Sequence, residues 1–315
     1  MEKEKLKIAF YWAASCGGCE IVVLDINEKI LDVVAAADIV FWPVALDFKY
    51  KDVEAMPDKS IDACFFNGAI RTEENEHIAK LLRRKSKILI AFGSCACDGC
   101  VVGLANLWDR ETVFERAYSE TPSTNNPEGT TPKTLLEVKE GKLKLPEFYD
   151  TVKTLSQTVD VDYFISGCPP PIPCIIQTFQ SILTNNLPPK GSSFLPNKSI
   201  CDECSREKKD KQLSQIKRIY EIDDDFKTCF LDQGVICMGP ATRAGCGAQC
   251  PNVNMPCTGC NGPGPRVTDQ GAAALSAIAS IATNPEVINQ VVDPIGTFYK
   301  YSLANSILRR KVMKK

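Results

Sequence analysis

The first half of the chain alternates two apolar patterns. "LKIAFYWAA" is a short apolar and aromatic run of strand length, and "DIVFWPV", "IDACFFNGAI", "SKILIAFGSC" and "VDYFISGCPP" read the same way. Between them lie segments of helical period. "CEIVVLDINEKILDVVAAA" spaces Ile21, Leu24, Ile30 and Leu31 as a helix would, and "TEENEHIAKLLRRK" is a helix with a charged outer face. Strands alternating with helices predict an α/β fold built on a doubly wound parallel sheet. Ligands of such sheets gather at the carboxyl ends of the strands, and Cys16, Cys95 and Cys168 each fall at one.

Two stretches interrupt the pattern. Residues 119–150 form a polar insertion with a short hairpin expected around Glu140 and Gly141. Residues 185–199, "NNLPPKGSSFLPNKS", have the proline and glycine content of a linker or an extended crossing segment. A domain boundary is placed there, between residues 1–185 and a smaller, irregular domain of residues 186–315. Past it periodicity fades, and eight cysteines fall between Cys201 and Cys260. Such a segment needs something other than an apolar core to order it, and bound metal clusters would serve. The apolar stretch "GAAALSAIASIA" is too short to span a bilayer.

Sixteen cysteines against one histidine among 315 residues change the picture most. The formal net charge of −2 gives no field that would draw nucleic acid or an anionic membrane surface. The opening "MEKEKLKIAF" lacks the basic and long apolar regions of an export signal, so a cytoplasmic location is expected. Thiols stay reduced there, which favours metal ligation over disulfides.

Twelve of the sixteen cysteines fall into three groups of four. The first is Cys16, Cys19, Cys95 and Cys168; the second is Cys201, Cys204, Cys229 and Cys237; the third is Cys246, Cys250, Cys257 and Cys260. The Cys16-Gly-Gly-Cys19 pair alone reads equally as a redox dithiol, half a zinc site or half of an iron–sulfur cradle. Four thiolates complete a [4Fe–4S] cluster, yet the second and third groups also suit two structural zinc sites, because ferredoxin-like C-x2-C-x2-C spacing is absent. Cys64 and Cys174 read as packing residues. Cys97 and Cys100 admit either packing or a redox role, with Cys100 read first as filler. His77 reads as solvated, Glu20 as a stabiliser of a helix start or a proton relay, and the basic end "LRRKVMKK" as a solvated tail or a dock for an acidic partner.

"SCGGCE", "FNGAIR", "AFGSCA", "SGCPPP", "CDEC", "CFLDQGVICMGPATRAGC" and "MPCTGC" together resemble the small subunit of nickel–iron hydrogenases. "DQGAAALSAIASIA" and "VDPIGTFYKYSLANSILRR" resemble its cytoplasmic methyl-viologen-reducing, deazaflavin-non-reducing branch in methanogens and their relatives. The resemblance implies a flavodoxin-like first domain and three [4Fe–4S] clusters. The proximal cluster would lie on Cys16, Cys19, Cys95 and Cys168, the medial on Cys246, Cys250, Cys257 and Cys260, and the distal on Cys201, Cys204, Cys229 and Cys237. It implies a large subunit holding the nickel–iron centre, and electron exit through a small iron–sulfur adaptor subunit to a heterodisulfide reductase. A deazaflavin-reducing hydrogenase is the alternative within that family, and a zinc-stabilised interaction module the alternative outside it. Cys201 stands where many relatives place histidine, and Cys250 where many have no ligand. Cys100 sits five residues after Cys95, like an extra cysteine of oxygen-tolerant relatives, but Gly18 occupies the place of its companion.

Overall fold

The computed structural model describes residues 5–209, 212–223 and 225–308, so the basic end falls outside the described residues from position 309 onward. The strands are β1 (Leu6–Trp12), β2 (Ala37–Phe41), β3 (Ile61–Asn67), β4 (Ile70–Thr72), β5 (Ser86–Phe92), β6 (Leu135–Val138), β7 (Gly141–Lys144), β8 (Phe148–Lys153) and β9 (Tyr163–Ile165). Five of them form one parallel sheet in the order β2-β1-β3-β5-β9. Counted within the sheet, this is the 2-1-3-4-5 order of flavodoxin-like folds. The polar insertion holds the expected hairpin, with β6 and β7 antiparallel and Val138 opposite Gly141.

Strand alternation divides the core. Ile8, Phe10, Phe65, Ile90 and Phe92 face one side, where the Ile172–Leu183 helix adds Ile175 and Phe179. Ala9, Tyr11, Cys64, Phe66 and Leu89 face the other, against Ile78 and Leu82 of the Glu73–Lys85 helix. That helix starts where Thr72 Oγ1 accepts from Asn75 N at 3.2 Å. Its acidic first turn and basic last turn both suit the helix dipole. Covering both faces is what a parallel sheet requires, and it accounts for the near-continuous apolar strands.

One element differs from its expected form. The stretch after Cys19 is a helix over Gly18–Leu24, a 3-10 turn over Asn27–Lys29 and a second helix over Ile30–Ala36. Asn27 breaks it with φ +56°, a left-handed conformation that asparagine tolerates. The inward face is Val22, Val23, Ile26 and Val33, while Ile21, Leu24 and Leu31 lie exposed.

Beyond residue 195, a third core gathers Ile200, Leu231, Met238, Ile278 and Phe298 among short turns, with the Gln270–Ile281 helix as its longest element. The chain then returns to the first half: Tyr301 O accepts from Cys100 N at 3.0 Å, and Ala304 O from Gln157 Nε2 at 2.8 Å. Among the described residues no helix is long and apolar enough to cross a membrane.

Phe65 stacks on Phe10 with ring centroids 5.1 Å apart and meets Phe179 at the same distance. Phe65→Ala should cost about 3–5 kcal/mol, read as a lower urea midpoint at an unchanged slope.

Candidate metal centres

Sheet register builds the first group of thiols. Trp12 pairs with Asn67, Asn67 with Phe92, and Phe92 with Ile165, so these strands end in one row. The segments leaving β1, β5 and β9 at that level carry Cys16 and Cys19, Cys95, and Cys168. Cys19 and Cys95 are buried, while Cys16 and Cys168 are exposed. Burial holds the Cys19 thiol far above the ordinary thiol range, and Cys168 and Cys16 lie near enough to add to it. Gly93, at φ +85°, passes so close that a Cβ there would collide with Cys19 Sγ.

Cys100 joins this group. Its thiol is buried, with Cys168 and Cys95 as neighbours. Cys168 pulls its pKa down, but Cys95 and burial outweigh that and leave it raised, at about 12. A fifth thiol thus stands at this edge, buried and protonated. Cys97 points the other way, donating to Ala91 O at 3.3 Å in the core.

The third group lies across from the strand ends. Burial pushes Cys260 up to about 11, and Cys246 and Cys250 are near enough to reinforce it. Cys257 is buried, with Cys237 and Cys260 as neighbours. Glu203 holds the Cys246 loop, accepting from Gly245 N at 3.0 Å and Gly247 N at 2.9 Å.

Cys201, Cys204, Cys229 and Cys237, the second group, line one cavity of about 130 Å³ together with Ile200, Phe230 and Leu231. That is roughly four water volumes. Cys257 reaches the same cavity, so the second and third groups adjoin. Burial pushes Cys237 up to about 12. Arg206 lines the cavity as well, its guanidinium 3.9 Å over the Phe230 ring and donating to Thr228 O and Asn254 Oδ1 at 2.8 Å each. A buried cation beside four thiols suits an anionic guest. Among the described residues no three His, Cys, Asp or Glu side chains stand close enough to hold a single metal ion. Thiols ringing a volume fit a compact polynuclear group.

Some side-chain partners in these sites escaped sequence reasoning. Glu20 stands in the first turn of its helix, with no capping hydrogen bond there. It is buried, and its carboxylate accepts from Trp42 Nε1 at 2.5 Å and Asn67 Nδ2 at 3.2 Å, with burial raising its pKa. Arg206 and Glu203 act across long loops, which no local pattern marks. Cys64 and Cys174 are buried packing residues as expected, and His77 is exposed, 3.7 Å from Glu54.

Residues 16–182 match the family described as NADH ubiquinone oxidoreductase, 20 Kd subunit. The chain is 42% identical to the iron-sulfur subunit of the F420-non-reducing hydrogenase of Archaeoglobus profundus, over 98% of this chain and 99% of that one. It is 38% identical to an F420-non-reducing hydrogenase subunit of Methanothermobacter thermautotrophicus, over 99% of this chain and 98% of that one. The chain belongs to the nickel–iron hydrogenase small-subunit family.

This hydrogenase subunit is thus a component of an oxidoreductase. Its fold is shared with a chain of an NAD+-reducing [NiFe]-hydrogenase in the H2-reduced state (TM-score 0.50, 24% identity, 59% of this chain and 94% of that one). It is shared also with the recombinant [NiFeSe] hydrogenase of Desulfovibrio vulgaris Hildenborough (TM-score 0.50, 15% identity, 83% of this chain and 95% of that one).

Exposure ranks the thiols in the metal-free chain. Iodoacetamide should modify exposed Cys16 well before buried Cys64 and Cys97, whose thiols burial holds largely protonated. Peptide mass spectrometry over a time course checks the order.

Proposed function

We propose that this chain is the electron-transfer small subunit of a nickel–iron hydrogenase, relaying electrons from hydrogen oxidation through three [4Fe–4S] clusters. The observation that carries this reading is spatial. One thiol group sits at the exposed sheet edge, a second lies behind it, and a third rings a cavity. In this reading Cys16, Cys19, Cys95 and Cys168 hold the proximal cluster. Cys246, Cys250, Cys257 and Cys260 hold the medial cluster, and Cys201, Cys204, Cys229 and Cys237 the distal one. Residues 1–185 and 186–315 are the corresponding domains. Clusters bound there supply reversible one-electron storage.

The chain's own residues do the rest. The cysteines give up their protons on loading, Ile200, Phe230 and Leu231 exclude water, and Arg206 offsets negative charge in the distal cavity. The active site lies in the large subunit. Its docking face is the edge where Cys16 and Cys168 are exposed, beside the exposed Trp12, Ile21 and Leu24. Beyond the distal site, electrons leave through an iron–sulfur adaptor subunit to a heterodisulfide reductase in the cytoplasm.

Anaerobically purified complex should be brown and bleach under hydrogen, while this chain alone should not respond to hydrogen. Bleaching of the isolated chain would place hydrogen oxidation in the wrong subunit. Cys250→Ser should convert the medial site towards a three-iron cluster with its own paramagnetic signal; an unchanged spectrum would remove Cys250 from the ligands. Burying two large aliphatic side chains is worth about 3 kcal/mol. Ile21→Glu with Leu24→Glu should therefore weaken large-subunit binding by about a hundredfold, measured by titrated co-purification.

A further inference from the structure

One buried polar group beside the third set of thiols has its donor unspent. Asn261 directly follows Cys260 and is 2% exposed. Cys260 Sγ donates to its Oδ1 at 3.9 Å, so the amide lies against the sulfur. Its Nδ2 is buried and, among the described residues, has no hydrogen-bond partner. Buried amide donors are rarely left so. The contrast is local: the equally buried Gln270 gives its Nε2 to Gly259 O at 2.8 Å and to Gly262 O at 3.1 Å.

The turn that carries Asn261 cannot swing to find the amide another partner. Before it, Cys260 O accepts from Ser94 Oγ. After it, Gly262 N donates to Gly259 O at 3.1 Å, and Gly262 O accepts from Arg243 N at 3.1 Å. Gly262 is also pressed against the first half of the chain: a Cβ on it would stand 2.6 Å from Asp98 Oδ2 and 2.9 Å from Ser166 Oγ. With backbone fixed on both sides, only the side-chain torsions stay free. The terminal torsion of asparagine is broad and two-fold, so a half-turn exchanges amide oxygen and nitrogen within the same space. A cysteine bound to metal is a thiolate, which accepts hydrogen bonds and donates none. Against such a sulfur Oδ1 is repelled, whereas Nδ2 meets the acceptor it lacks.

We propose that Asn261 donates from Nδ2 to the Cys260 sulfur of the loaded medial site and so raises the potential of that cluster. This rests on the cluster reading above. A hydrogen bond to cluster sulfur favours the form that carries the extra electron. Cys250 works in the opposite direction, because a fourth thiolate adds negative charge and lowers the potential. Asn261 offsets part of that charge with a neutral amide, keeping the medial site reducible by the proximal one. No bond is made or broken and no proton moves.

The test uses complex purified without oxygen. Wild-type complex holding stoichiometric zinc and little iron would refute the cluster reading, and this proposal with it. With iron present and the asparagine side chains labelled with nitrogen-15, pulsed paramagnetic resonance of the reduced medial cluster should show a weak nitrogen coupling. Asn261→Leu keeps the size of the side chain and removes the donor, so that coupling should vanish. At a fixed potential its medial reduced-to-oxidised ratio should fall about tenfold, a shift of about 59 mV for one electron. The proximal and distal potentials should stay where they are. The wild-type coupling needs no variant, so its absence overturns the proposal even if Asn261→Leu fails to assemble. Full iron in Asn261→Leu with an unchanged medial potential would overturn it as well.

Discussion

Parallel pairing sends the carboxyl ends of all paired strands to one edge of a sheet, and here the register makes that edge level. Trp12, Asn67, Phe92 and Ile165 share a row, so cysteines from loops about seventy residues apart arrive together. A register slip of one residue would turn each strand's inward face outward. The aromatic core of Phe10, Phe65 and Phe179 therefore protects the thiol geometry as much as the fold.

The second half depends on the first. Its apolar core is threaded by thiols: Cys257 is buried within it, and Cys204, Cys229, Cys237 and Cys246 pack against it. Thiols this deep are costly to ionise without a compensating cation, as the raised Cys237 and Cys257 show. Metal loading would supply that compensation and couple folding to binding. The return of Tyr301, Ala304 and Asn305 onto Cys100, Gln157 and Asp98 closes the chain over the region where the halves meet.

Much of the fold was legible because parallel strands, buried on both faces, leave long apolar runs such as "SKILIAFGSC". The thiol groupings were legible because cysteine is informative in itself. Side-chain direction was not. Ile21 and Leu24 have helical spacing, but Asn27 shortens the helix and Val22 and Val23 take the inward face. The place of Cys100 beside Cys95 and Cys168 depends on Gly99 and on Tyr301, some two hundred residues away in the chain, which no local pattern marks.

Iron and acid-labile sulfide per chain, measured on complex purified without oxygen, test the central claim most directly. Twelve thiols in three groups predict about twelve iron atoms and as much sulfide, four per cluster. Stoichiometric zinc with little iron or sulfide would contradict it.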